Sequence, residues 1–122
     1  MFGANKPSEE LLAIYWHMLR YKGGNLIMHR LAQYMVERRL QRERWVGALV
    51  AQAGRSLPIK LINGPADSIS GMHMVDRYRE LVPHANVDVL GADVGHYPQV
   101  EDHAHVMSLV RAFLLEHADS LQ

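Results

Sequence analysis

Two short segments of this 122-residue chain combine residue types that can move a proton. One is Gly64-Pro65-Ala66-Asp67-Ser68, and the other is Gly91-Ala92-Asp93-Val94-Gly95-His96-Tyr97-Pro98. A carboxylate that accepts the N–H of an imidazole fixes its tautomer. It also stabilises the imidazolium formed when the other ring nitrogen takes a proton. Asp67 and His96 are therefore the candidate catalytic residues. A plainer reading stands beside this one, since Asp in a Gly-Pro turn caps backbone amides and His96 can cap a loop. Other constellations carry less. His103-x-His105 beside Glu101 and Asp102 has the composition of a metal site, yet positions i and i+2 of a helix do not face each other. Neither metal nor cofactor is expected. Met18, Met28, Met35, Met72, Met74 and Met107 read first as core fillers. With Trp16 and Tyr34, some of them are also suited to line an apolar substrate pocket. Gly23-Gly24 lacks the strand-before, helix-after context of a phosphate loop. The absence of cysteine excludes thiolate catalysis, disulfides and Cys-ligated zinc together.

An acid and a histidine from different segments meet only if something aims both segments at one place. In open α/β sheets that place lies just past the carboxyl ends of the strands. Ile59-Lys60-Leu61-Ile62, closed by Asn63-Gly64-Pro65, reads as a short buried strand. Val87, Val89 and Leu90 form a second strand, ended by Gly91. Between them Val75, Tyr78, Leu81 and Val82 repeat at helical spacing until Pro83. Val106, Leu109, Val110, Phe113 and Leu114 mark a terminal helix from about 103 to 117. Strand, helix, strand, helix predicts two parallel strands with a right-handed crossover and flanking helices, an α/β arrangement.

The first half reads as helices. Pro7 suits a first helical position, with Glu9 and Glu10 in the first turn. Leu11, Tyr15 and Leu19 form an apolar stripe that Gly23-Gly24 ends, and Asn25 is placed to cap a second helix from about 25 to 39. Trp45, Val46, Leu49, Val50 and Ala53 continue a helical period to Gly54. The sequence leaves open whether Leu40 to Arg44 bends or breaks the helix.

Composition sets the outer bounds. Thirteen basic and thirteen acidic residues give zero formal net charge, where a nucleic-acid partner usually leaves a basic excess. No apolar run approaches the ~20 residues of a membrane span, and no signal segment opens the chain. The expectation is one soluble, cytoplasmic domain, with no nucleic-acid partner and no membrane span.

At the two loops the sequence resembles a known family. Leu61-Ile62-Asn63-Gly64-Pro65-Ala66-Asp67 and Gly95-His96-Tyr97-Pro98-Gln99-Val100-Glu101-Asp102 resemble the acid and histidine loops of the α/β-hydrolase superfamily. The likeness is to its capped branch, which includes haloalkane dehalogenases and epoxide hydrolases, and it runs from about Phe2 to Glu116. Gly24-Asn25-Leu26 and Arg44-Trp45-Val46-Gly47-Ala48-Leu49 extend it. The resemblance implies that residues 1–40 are part of a helical cap and 41–122 the carboxyl-terminal part of the hydrolase core. Asp67 then falls on the triad acid and His96 on the triad base. The implied reaction is hydrolysis of a small, mostly apolar ester, epoxide or haloalkane, without cofactor.

Two departures qualify the resemblance. His103 stands where many relatives have proline, which concerns only the start of the last helix. The family's nucleophile sits in a Gly-x-Ser-x-Gly or Gly-x-Asp-x-Gly elbow before the cap and well before the acid, and the expectation is that this chain has no such pentapeptide. Ser8, Ser56, Ser68, Ser70, Ser108 and Ser120 all lie outside an elbow context. The expectation is a carboxyl-terminal part that is inactive alone, the rival being a non-catalytic fragment or pseudoenzyme acting as an interaction module. With no earlier strand to pair, one edge of Ile59–Ile62 is expected to promote self-association.

Overall fold

The fold is described from a computed structural model, which covers residues 2–52 and 57–118. Ala53, Gly54, Ser56 and Ser120, named above, lie outside the described residues. Two compact units divide the chain: Pro7–Gly47, and the described residues before Pro7 together with those from Ala48 onward.

The first unit is helical. Helix α1 spans Glu9–Arg20 and begins two residues later than the proline suggests. Ser8 is its N-cap, and the Ser8 side chain accepts from the Leu11 amide at 3.2 Å. A hydroxyl that satisfies an otherwise orphaned amide outcompetes the φ preference of Pro7. Lys22 and Gly23 take left-handed φ values of 50° and 75°, so the chain turns out of α1 where the glycine pair predicts. The expected single helix from 25 to 39 is replaced by three pieces. A 3₁₀ segment, Tyr21–Ile27, precedes α2, Met28–Leu31, and α3, Tyr34–Leu40. Asn25 lies inside the 3₁₀ segment and does not cap α2, whose N-cap position is Ile27 without a side-chain bond. The amides of Gln33, Met35 and Val36 each bond the carbonyl three residues back, which tightens the backbone out of α geometry. The chain also breaks at Gln41 before α4, Arg42–Gln52.

The second unit carries the sheet. Strand β1, Lys60–Asn63, pairs in parallel with β2, Asn86–Val89, in the register Lys60 with Asn86 and Asn63 with Val89. Among the described residues the sheet has these two strands. Helix α5, Met72–Leu81, joins them, and Val82 ends it immediately before Pro83. Each strand lies one residue from its predicted span. A helical turn that periodicity did not predict, α6, Pro98–Glu101, precedes α7, His103–Glu116. Leu90, Val94 and Val106 form the buried core cluster, against which Ile62, Leu109 and Val110 pack. Val75 on α5 is fully buried. Both site loops leave the sheet at the same edge, since Asn63 and Val89 are paired at the strands' carboxyl ends.

Candidate active site

Backbone contacts fix the two loops before any side chain does. Past the end of β1 and β2 the ladder continues, with the Leu90 amide donating to the Asn63 carbonyl at 2.9 Å. The loops then cross, as the Ala66 amide donates to the Val94 carbonyl at 2.9 Å. A Cβ on Gly64 would collide with the Gly95 and Val94 carbonyls. Only glycine lets the acid loop come this close to the histidine loop.

That approach brings Asp67 and His96 together. His96 Nδ1 lies 2.7 Å from Asp67 Oδ2. Asp67 is 6% exposed, whereas the His96 side chain is about one third exposed. The same carboxylate accepts from the Ile69 amide on Oδ1 at 2.9 Å and from the Ser70 hydroxyl on Oδ2 at 2.5 Å. Burial opposes ionisation of Asp67. The hydrogen bonds from Ser70, Ile69 and His96, with the charge of His96, outweigh it and hold the carboxyl well below the usual carboxylate range. An ionised Asp67 accepts Nδ1–H and leaves Nε2 as the ring nitrogen free to take a proton. The His96 and Tyr97 rings meet in a T-shaped pair with a centroid distance of 4.9 Å.

Glu101 was missed as a positioning group. The sequence offered it only as a member of the histidine-loop motif and of a metal cluster. It is 8% exposed, and its Oε2 accepts from the amides of Gly3 at 2.7 Å and Gly95 at 2.8 Å. Oε1 accepts from the Tyr97 amide at 3.0 Å. The amides on both sides of His96 thus bind one carboxylate. Burial again opposes its ionisation, and the amides of Gly95, Tyr97 and Gly3 reverse the balance, lowering its pKa. Its place in the histidine-loop motif was the signal at hand, and its burial follows from the α6 turn, which periodicity did not predict. Asn63 was read merely as a turn residue. Its Nδ2 donates to the Ser70 carbonyl at 2.7 Å, so the end of β1 holds the segment that carries Ser70.

The remaining candidates are not brought into this arrangement. His105 Nδ1 lies 3.3 Å from Asp102 Oδ2, and His73 Nε2 lies 3.1 Å from the Ile69 carbonyl. Among the described residues no group of three or more His, Asp or Glu side chains is placed to hold a metal ion. Trp16, Tyr34, Met18, Met28 and Met35 belong to the helical unit and are all more than 40% exposed. Contrary to the expectation that no such pentapeptide exists, Gly91-Ala92-Asp93-Val94-Gly95 spells the Gly-x-Asp-x-Gly pattern. Its context is not that of an elbow. No helix follows before Pro98, Asp93 is exposed, and its carbonyl and carboxylate accept from Ala4 and Asn5. The pentapeptide is a turn that fixes residues 2–6 to the histidine loop.

Comparison with known proteins adds an independent line. Over 110 residues the chain is 36% identical to the mesoderm-specific transcript protein of Mus musculus, a match covering 89% of this chain and 32% of the relative. The homologous protein of Homo sapiens gives the same identity and coverage. LipZ of Mycobacterium tuberculosis, provisionally named a hydrolase, is 37% identical over 86 residues, covering 70% of this chain and 28% of LipZ. The chain thus spans about a third of the length of the curated relatives it matches. No protein-family profile matches it, and no solved structure does. No helix among the described residues is long and apolar enough to cross a membrane. The chain is similar to mesoderm-specific transcript proteins and to a protein named for hydrolysis, and its parallel strands with flanking helices are compatible with part of an α/β fold.

Proposed function

We propose that this chain supplies the acid and the histidine of a hydrolytic triad in the manner of the capped α/β-hydrolases. Asp67 is the orienting acid and His96 the general base. The observation that carries this reading is the 2.7 Å contact between His96 Nδ1 and a buried Asp67 carboxylate, just past the ends of two adjacent parallel strands. Nε2 takes the proton of a serine nucleophile, or of the water that resolves an ester formed on an aspartate nucleophile. The nucleophile is expected from outside these residues, since no serine of the sequence lies in an elbow context. Among the described residues, the Ser70 hydroxyl is engaged by Asp67, and Asp93 sits in a turn without an elbow. Residues 1–40 act as part of a cap and 41–122 as the last part of the core. The substrate is a small, mostly apolar ester, epoxide or haloalkane. The similarity to LipZ supports the reaction class.

By itself the chain is expected to hydrolyse nitrophenyl acetate no faster than a set of surface histidines does. Fused behind a capped-hydrolase segment bearing the elbow and the earlier strands, it should gain turnover. Asp67→Asn should then reduce that turnover by roughly 10⁴-fold, with His96→Ala at least as severe. A folded, active fusion indifferent to both substitutions would overturn the reading and favour an interaction module. The side of β1 that has no partner strand among the described residues should also make the isolated chain self-associate. Light scattering at micromolar concentration checks this, and a monodisperse monomer would contradict it.

A further inference from the structure

The carboxylate of Asp67 has two oxygens but unequal work. Oδ1 accepts one bond, from the Ile69 amide two residues ahead. Oδ2 accepts two, from the Ser70 hydroxyl and from His96 Nδ1. The histidine therefore draws on an oxygen whose negative charge is already shared. Ser70 is itself held, since the Asn63 side chain at the end of β1 donates to its carbonyl. Asn63 thus holds the backbone of Ser70, whose hydroxyl separately donates to Asp67, and His96 meets that carboxylate from the other loop.

We propose that Ser70 is a positioning residue that sets how strongly Asp67 pulls on His96, by donating its hydroxyl to the one carboxylate oxygen that His96 uses. The proposal rests on the acid–histidine pair described under Proposed function. Two consequences follow from the chemistry of a shared acceptor. First, the hydroxyl occupies one lone-pair direction of Oδ2 and leaves the other to Nδ1–H, which fixes the direction from which the ring is held. Second, it spreads the carboxylate charge, so the imidazolium formed during proton transfer is stabilised less than by a bare carboxylate. The base stays weaker and returns its proton more readily to a leaving group. The Ile69 amide keeps the carboxylate in place without Ser70, so removing the hydroxyl alters charge more than position. The titratable groups beside His96 are few. Asp67 faces Nδ1, Tyr97 forms the T-shaped pair with the ring, and Glu101 binds the amides of Gly95 and Tyr97 on either side.

The test is an NMR titration of the His96 ring in the 122-residue chain and four variants. Ser70→Ala should move the His96 ring titration to higher pH than in the parent, because Oδ2 then serves Nδ1 alone. Ser70→Cys, with a weaker donor, should give an intermediate rise, and carries the comparison if the alanine variant does not fold. Ser70→Thr restores the hydroxyl and should restore the original value. Asp67→Asn should lower the pKa by removing the charge. If Asp67→Asn lowers it while Ser70→Ala and Ser70→Cys titrate as the parent, the pair stands and the role of Ser70 fails. A fall with Ser70→Ala also overturns the proposal, since it means that the hydroxyl merely holds the carboxylate in place. If Asp67→Asn changes nothing, the pair itself is refuted.

Discussion

The helical unit Pro7–Gly47 and the strand-bearing unit differ less in apolar content than in what that content achieves. The helical unit has no buried residue, and Trp16, Leu26, Leu31 and Tyr34 are each more than half exposed. The strand-bearing unit buries Val75, Val82, Leu90, Val94 and Val106, together with Asn63, Asp67 and Glu101. In the first, the hydrogen bonds that shape the helices are local, as in the Ser8 cap of α1 and the tightened turn at Gln33, Met35 and Val36. The second is held by contacts between residues far apart in sequence, such as Gly3 with Glu101 and Asp67 with His96. Buried polar groups need partners, and here the partners come from other loops. A candidate site formed where the backbone is cross-linked over long range, and the helical unit offers no equivalent.

The difference can be broken most sharply at Glu101. Glu101→Ala leaves three backbone amides without their acceptor, and each orphaned group costs on the order of 1–3 kcal/mol. Urea denaturation should show a loss of about 3 kcal/mol or more, or no folded protein at all. Glu43→Ala on α4, an exposed carboxylate, should stay within about 0.5 kcal/mol of the parent. Next in size is Gly64→Ala, which drives a methyl into the Gly95 and Val94 carbonyls and should cost roughly 2 kcal/mol or more.

Acid sensitivity sharpens the comparison further. Asp67 and Glu101 both have folded pKa values below the usual carboxylate range, so their contribution is fully present above that range. It is lost as pH falls below about 4 and the folded protein must take up protons that the unfolded chain already binds. In denaturation series from pH 7 to 3, the parent should lose its advantage over Asp67→Asn by more than about 1 kcal/mol. A constant gap would show that folding does not lower the Asp67 pKa. The smallest effect is expected at Gly47, where an added Cβ meets nothing within 4 Å. Gly47→Ala in α4 should be neutral or stabilise the chain by up to about 1 kcal/mol, measured in the same denaturation assay.

Legibility in the sequence follows the same division. The strands were readable to within one residue because Gly64, Pro65 and Gly91 punctuate short apolar runs. The meeting of Asp67 and His96 was legible because each lies on the loop after such a run and the two loops together resemble an acid loop and a histidine loop. The break of the expected helix at Ala32 and Gln33 was not, since neither residue is a breaker and the tightening arises from backbone bonds. Ser8 displaced Pro7 as the helix start because a side-chain bond outweighs a dihedral preference. Glu101 and Ser70 stayed hidden for a different reason. Their partners are backbone amides and a carboxylate on neighbouring turns, and sequence spacing does not announce which groups a fold leaves needing acceptors and donors.

The central claim is that Asp67 holds His96 with Nδ1 protonated and Nε2 bare. The ¹⁵N shifts of the His96 ring above its titration test this directly. Free imidazole side chains favour the proton on Nε2, whereas the account predicts that neutral His96 carries it on Nδ1, reverting to Nε2 in Asp67→Asn. A neutral His96 with its proton on Nε2 in the parent protein would contradict the account.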